Sequence, residues 1–202
     1  CSPIYGACGM ISALILAAGQ SKRMGQPKML LPWGKLTVIE HVVATFLNAG
    51  VEDILVITGG AREHIEKAIN RYPVRKVHNR DYGTGEMLSS LQYGLRAMPD
   101  QTQATLIGLG DQPQIQEGSI RLICEAYQET KSLLLVPSFR MKRGHPWLVA
   151  RPLWSEILAL KPPETSRDFL NQNAGKIRYV NVDNPSILTD LDTPEDYQNS
   201  HP

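Results

Sequence analysis

Thirteen residues, Leu16 to Lys28, bring two glycines and three cations together in the stretch LAAGQSKRMGQPK. Gly19 and Gly25 allow backbone amides to point inward as an anion nest, and Arg23 and Lys28 add fixed positive charge. A triphosphate needs such a place, because its oxygens must be neutralised before a nucleophile can approach phosphorus. The spacing is not that of a Walker A loop. Five residues separate the glycines, Gln26-Pro27 precedes the lysine, and Met29 stands where a magnesium-touching Ser or Thr belongs. Nor does it read G-x-G-x-x-G. The same composition also suits an ordinary glycine-containing turn with surface cations.

Carboxylates gather in two other places. Gly110-Asp111-Gln112-Pro113 follows an apolar run, and a carboxylate at the tip of a central strand points at the ligand edge. Asp111 is suited to Mg²⁺, which takes one or two carboxylates and fills its shell with phosphate oxygens and water; capping of the next turn is its plainer use. In TDLDTPEDY, residues 189–197, four acids fall within seven positions. Thr193-Pro194 reads as a helix N-cap with proline at the first helical position, and the macrodipole then accounts for Glu195 and Asp196. Asp190 and Asp192 precede the cap and are freer to meet a metal.

These residues need a scaffold, and the apolar pattern supplies one. Ile11 to Ala17 is an apolar run interrupted only by Ser12, consistent with a strand buried on both faces. Thr37 and Glu40 form a capping box for a helix carrying Ile39, Val42, Val43 and Phe46 and closed by Gly50. Further strands are expected at 54–58, 74–77, 105–109 and 133–136, alternating with helices at 62–72, 84–98 and 119–130. Strand–helix alternation of this kind predicts an α/β, single-domain, doubly wound and mostly parallel sheet with right-handed crossovers. After Pro137 the pattern loosens into a hairpin around 139–150, short helices near 152–160 and 166–173, and a last strand at 177–182. Cys124 shares an apolar helix face with Ile120, Ile123 and Tyr127 and reads as core.

Composition narrows the function. The chain has 202 residues, with 21 Lys and Arg against 20 Asp and Glu. That balance gives no basic footprint for nucleic acid and no acidic tail. The longest apolar runs fall far short of the roughly 20 residues a membrane helix requires. Three cysteines, two of them in the first eight residues, do not form a disulfide framework. Without a secretory signal pattern, the expected location is cytoplasmic. Residues 1–9 carry no periodicity and read as a tail or extension ahead of a domain spanning 10–202.

LAAGQSKRMGQPKMLLPWG, with GDQP at 110–113, RGHP at 143–146 and DLDTPEDY at 190–197, resembles the MobA-like nucleotidyltransferases that act on molybdopterin, specifically the MocA-like cytidylyltransferase branch. The resemblance spans residues 11 to about 198. It implies a Rossmann-like nucleotidyltransferase fold with a small hairpin and helical lobe on the acceptor side. It also implies a reaction in which a terminal phosphate oxygen of molybdopterin attacks the α-phosphorus of CTP and pyrophosphate leaves. In that reading Leu16, Ala17, Ala18, Gly19, Ser21 and Gly25 wrap the nucleotide, with Arg23 and Lys28 on its phosphates. Asp111 and Asp192 hold Mg²⁺. Gly85, Ser89 and Ser90 belong to a segment that contacts base and ribose in relatives, and Arg143, Gly144 and His145 lie near the acceptor. The guanylyl branch carries glycine where this chain has Ala18, which favours CTP over GTP by analogy. A molybdoenzyme or its chaperone is the implied partner for the product. The competing readings are a cytidylyl- or guanylyltransferase for another phosphorylated acceptor, and a cofactor-binding chaperone without turnover.

Overall fold

The computed structural model describes residues 10–21, 24–83 and 86–202. Its first strand, β1 (Ile11–Ala17), shows why the expected sheet is right. All seven residues are buried, and successive side chains go to opposite faces. Ala13, Ile15 and Ala17 join one core, Leu14 and Leu16 the other. A strand buried on both faces cannot alternate with polar residues, which is why its sequence is apolar but for Ser12, whose buried hydroxyl is hydrogen-bonded to that of Thr102 at 2.9 Å.

After β1 come the two-residue strands β2 (Pro32–Trp33) and β3 (Leu36–Thr37), then helix α1 (Val38–Asn48). The capping box at Thr37 and Glu40 is formed in full. The chain continues through β4 (Asp53–Thr58), α2 (Arg62–Ala68), β5 (Arg75–His78), α3 (Glu86–Arg96), β6 (Ala104–Leu109) and α4 (Glu117–Thr130). It then forms β7 (Leu134–Phe139), β8 (Lys142–Arg143), β9 (Trp147–Ala150), α5 (Trp154–Ala159), α6 (Ser166–Gln172), β10 (Ile177–Asn181) and α7 (Pro194–Ser200).

The strand order is β5-β4-β1-β6-β9-β7-β10, with β8 paired to β7. β5, β4, β1 and β6 are mutually parallel, and β10 runs parallel to β7. β9 is antiparallel to both of its neighbours. The chain winds outward from β1 through β4 to β5, then returns across β1 to β6. The connections leaving β1 and β6 therefore diverge, and their carboxyl ends border a crevice.

The expected hairpin at 139–150 takes a different form. Only β8 pairs back on β7; β9 inserts into the main sheet between β6 and β7. All four residues of β9 are buried. A hairpin with one wet face has no place for such a strand, whereas the sheet interior does. Strands β7, β8 and β9 thus belong to the same sheet as the first half of the chain. Cys124 is fully buried among α4's apolar residues, as its spacing predicts.

A third, small cluster matters most for the site. Met24, Leu31, Trp33, Val38 and Leu191 pack together with Tyr197 against them, and the Tyr197 hydroxyl donates to the Pro32 carbonyl at 2.5 Å. This cluster pins the loop after β1 to the C-terminal segment across more than 150 residues of sequence. Among the described residues no helix is long and apolar enough to cross a membrane.

Candidate active site

At the carboxyl ends of β1 and β6 lies a cavity of about 640 Å³. Leu16, Ala18, Gly19 and Ser21 supply one wall, and Lys28, Asp111 and Asp192 the charged end. The loop that brings Lys28 there turns through left-handed backbone at Ser21 (φ 49°) and Gly25 (φ 67°). Gly25 meets the need for positive φ at no steric cost. The Met24 amide donates to the Ser21 carbonyl at 3.0 Å, and the Lys28 amide donates to Ser21 Oγ at 3.1 Å. Ser21 therefore closes the loop with both its backbone and its side chain.

Lys28 stands between two carboxylates that are far apart in sequence. Its Nζ lies 2.5 Å from Asp111 Oδ2 and 3.1 Å from Asp192 Oδ1. Burial alone would lower the lysine's pKa, but Asp111 and then Asp192 more than offset that, so it is held above its ordinary value. Lys28 and Asp111 are largely enclosed, while Asp192 is half exposed toward the cavity mouth. The ammonium thus lies between two carboxylates, one at the tip of β6 and one in the C-terminal segment.

Asp190 takes a different part. Its carboxylate accepts a short hydrogen bond from the Gln112 side-chain amide. Burial, and the nearby charges of Asp111 and Asp192, push its carboxyl above the usual range despite that bond. Among the described residues no group of three or more His, Cys, Asp or Glu side chains is arranged to hold a metal. Asp111 and Asp192, which line the cavity, are a donor set of the kind a divalent cation takes when phosphate oxygens and water complete its shell.

The remaining expected residues separate into groups. Ala17 is fully buried in the core rather than in the cavity wall. Gly25 lines an adjoining recess of about 520 Å³, together with Gln26, Pro27, Gly60 and Ala61. Ser90 reaches the cavity, and both Ser89 and Ser90 hydroxyls accept from the buried Asn79 amide, at 2.8 and 3.0 Å. Arg23 and Gly85 lie outside the described residues.

The trio 143–145 is not part of the cavity. Arg143 is exposed and donates to Tyr179 Oη at 2.9 Å and to Asn171 Oδ1 at 3.4 Å. A Cβ on Gly144 would come within 2.3 Å of the Ile187 carbonyl oxygen, so this glycine serves close packing. The His145 ring stacks on Trp147 at 4.5 Å, and its buried Nε2 has no hydrogen-bond partner. Burial lowers its pKa to about 4, which leaves it neutral near neutral pH.

Sequence reasoning missed the apolar half of the cavity. Met24, Met29, Met87, Leu109 and Tyr82 form a wall against which a flat ring can lie. Met24 and Met29 are at least nine-tenths buried, so in sequence they look like core. Their one signal was position, inside and just after a polar loop.

A sheet of this winding, with an apolar wall beside a cation-neutralised carboxylate pair at its switch point, defines a nucleotide-handling α/β enzyme. The chain belongs to the family of MobA-like NTP transferase domains, whose pattern residues 13–177 match, and it is a nucleotidyltransferase. It is 29% identical over 187 residues to the molybdenum cofactor cytidylyltransferase of Escherichia coli (strain K12), covering 93% of each chain. It is also 27% identical over 197 residues to the nicotine blue oxidoreductase of Paenarthrobacter nicotinovorans, covering 92% of this chain and 93% of that one. Among solved structures, a nucleotidyl transferase from Methanothermobacter thermautotroptrophicus superposes with a TM-score of 0.80 at 27% identity, covering 96% of each chain.

Proposed function

We propose that this nucleotidyltransferase moves a cytidylyl group from CTP to the terminal phosphate of a molybdopterin-type cofactor. The observation that carries the reading is the Lys28 ammonium held between Asp111 and Asp192 at the end of a half-apolar cavity. One end neutralises phosphates and the other accepts a base. The E. coli relative supports the choice of CTP and of a pterin acceptor.

Transfer between phosphates demands little of the protein in proton chemistry. A phosphate monoester has a second pKa of about 6, so the attacking oxygen is already ionised near neutral pH. Among the described residues lining the cavity there is no histidine or cysteine, which suits a reaction run by positioning and charge neutralisation. Asp111 and Asp192 would hold Mg²⁺, and that ion would supply charge stabilisation at the phosphates. Lys28 donates to phosphate oxygens once they share its site. Arg23 is assigned to the phosphates on the resemblance alone. Ala18 is at the cavity wall, where its methyl narrows the space beside the base and favours a pyrimidine. Arg143 is assigned to the acceptor as an exposed cation on the same sheet edge as the cavity.

The test offers the protein Mg²⁺, molybdopterin and each of CTP, GTP, ATP and UTP in turn, and measures dinucleotide and pyrophosphate together. CTP is expected to give both products. Turnover with GTP alone overturns the cytidylyl reading, and cofactor binding without pyrophosphate release replaces catalysis with a chaperone role. A parallel redox assay with nicotine blue addresses the activity named for the Paenarthrobacter relative.

A further inference from the structure

Gln112 follows Asp111 and is buried, although it carries a polar amide and does not line the cavity. Its backbone is fixed in the turn after β6, donating to the Leu109 carbonyl at 3.3 Å and accepting from the Ile115 amide at 3.3 Å. Its side-chain amide reaches 78 residues along the sequence to the Asp190 carboxylate. Beside that bond, the Leu191 amide donates to the Asp111 carbonyl at 3.2 Å, and the Leu191 side chain is fully buried in the small apolar cluster. Residues 190 and 191 are therefore tied to residues 112 and 111 by two hydrogen bonds, and Leu191 is anchored from its other side by the apolar cluster. Asp192 is the next residue, with its Oδ1 on Lys28.

The choice of an amide is informative. A lysine or arginine at position 112 would hold Asp190 as well, but its charge would compete with any cation for the neighbouring carboxylates. A neutral donor grips a carboxylate without cancelling the local negative field. We propose that Gln112 is a positioning residue: by holding Asp190 it sets the approach of Asp192 to Asp111, and so the affinity of the pair for a divalent cation. This rests on the reading of Asp111 and Asp192 as the cation-holding pair, and it assigns a separate, indirect role to the residue between the strand tip and the turn. Groups that hydrogen-bond a metal ligand directly contribute about 10–100-fold to metal affinity, and Gln112, acting through Asp190 beside the ligand, is expected at the low end of that range.

The experiment uses the full chain and Mn²⁺ alone as the probe, with unbound Mn²⁺ followed by electron paramagnetic resonance. Gln112→Ala is expected to weaken Mn²⁺ binding about tenfold. In an Asp192→Asn background the same substitution should have almost no further effect, because the ligand it positions is gone. The swapped pair Gln112→Glu with Asp190→Asn exchanges donor and acceptor while conserving charge, and should bring affinity back to within about threefold of wild type. A role in stability alone would lower the melting temperature equally in both backgrounds and leave Mn²⁺ affinity unmoved. Unchanged affinity in folded Gln112→Ala, an equal loss with and without Asp192, or failure of the folded swap to restore binding would each overturn the assignment. If Asp111→Asn and Asp192→Asn themselves leave Mn²⁺ binding intact, or wild type takes up no Mn²⁺, the carboxylate pair is wrong and the inference falls with it.

Discussion

Two stretches on the same edge of the sheet carry similar chemistry in sequence and end in opposite situations. The loop after β1 contributes glycine, serine and lysine to a cavity. RGHP, from the end of β8 to the start of β9, puts its glycine and histidine into packing and leaves Arg143 exposed. Lys28 faces two carboxylates at the end of open space. His145 is stacked on Trp147 with an enclosed, unpaired nitrogen, and Gly144 lies against Ile187. The difference is strand position: β1 and β6 flank the point where the winding reverses, whereas β7 and β9 are neighbours within a closed stretch of sheet. Residue type names a capacity, and backbone placement decides whether that capacity meets solvent or core.

Asp111→Asn should break the active half outright. Loss of one of two carboxylates is expected to remove detectable pyrophosphate release while circular dichroism stays native; near-normal turnover at limiting Mg²⁺ would end the assignment. Lys28→Ala comes next, with a loss of about 10²–10³ in kcat, the usual cost of removing one donor aimed at reacting phosphate charge. A change under about threefold, outside the range typical for such a donor, would remove Lys28 from the chemistry.

The packed half should respond in stability instead. Gly144→Ala forces a methyl against the Ile187 carbonyl and should cost about 1–3 kcal/mol, as overpacking does. For a chain this size that is a fall in Tm of roughly 2–4 °C per kcal/mol. Gly25→Ala is its counterpart: nothing lies within 4 Å of the added Cβ, so only the left-handed φ is penalised, by about 1–2 kcal/mol. A Gly144→Ala protein as stable as wild type would show that this segment relaxes freely.

A further effect is in pH. Burial holds His145 at a pKa of about 4, against 6.5 for the free side chain. The unfolded chain therefore binds its proton first, and this residue's contribution to stability is present above pH 6.5 and is lost as pH falls toward about 4. Melting scans across that window should fall less steeply for His145→Phe than for wild type. Parallel curves would show that the imidazole protonates as readily in the folded protein.

Much of this was legible without coordinates. The apolar run of β1 requires burial on both faces, and the Thr37–Glu40 box and the Thr193 cap formed where their spacing placed them, although Asp196, read as answering the macrodipole, in fact completes a capping box with Thr193. These are local rules, read within a turn or a strand. The Met24, Met29 and Met87 wall was not legible, because a methionine at a cavity edge and one in a core have the same sequence context. Nor was the insertion of β9 between β6 and β7, since four buried residues pair equally well with any strand offering free hydrogen bonds on both sides.

The sequence by itself determined the layers, the loop that turns on Gly25, and which residues carry charge. Tertiary structure decided which charges meet. Asp111 and Asp192 are 81 positions apart, and only the packing of Leu191 beneath Trp33 with the Gln112–Asp190 bond brings both to Lys28. Coulomb attraction acts over a few ångströms, and distance along the chain says nothing of distance in space until the apolar clusters have fixed it.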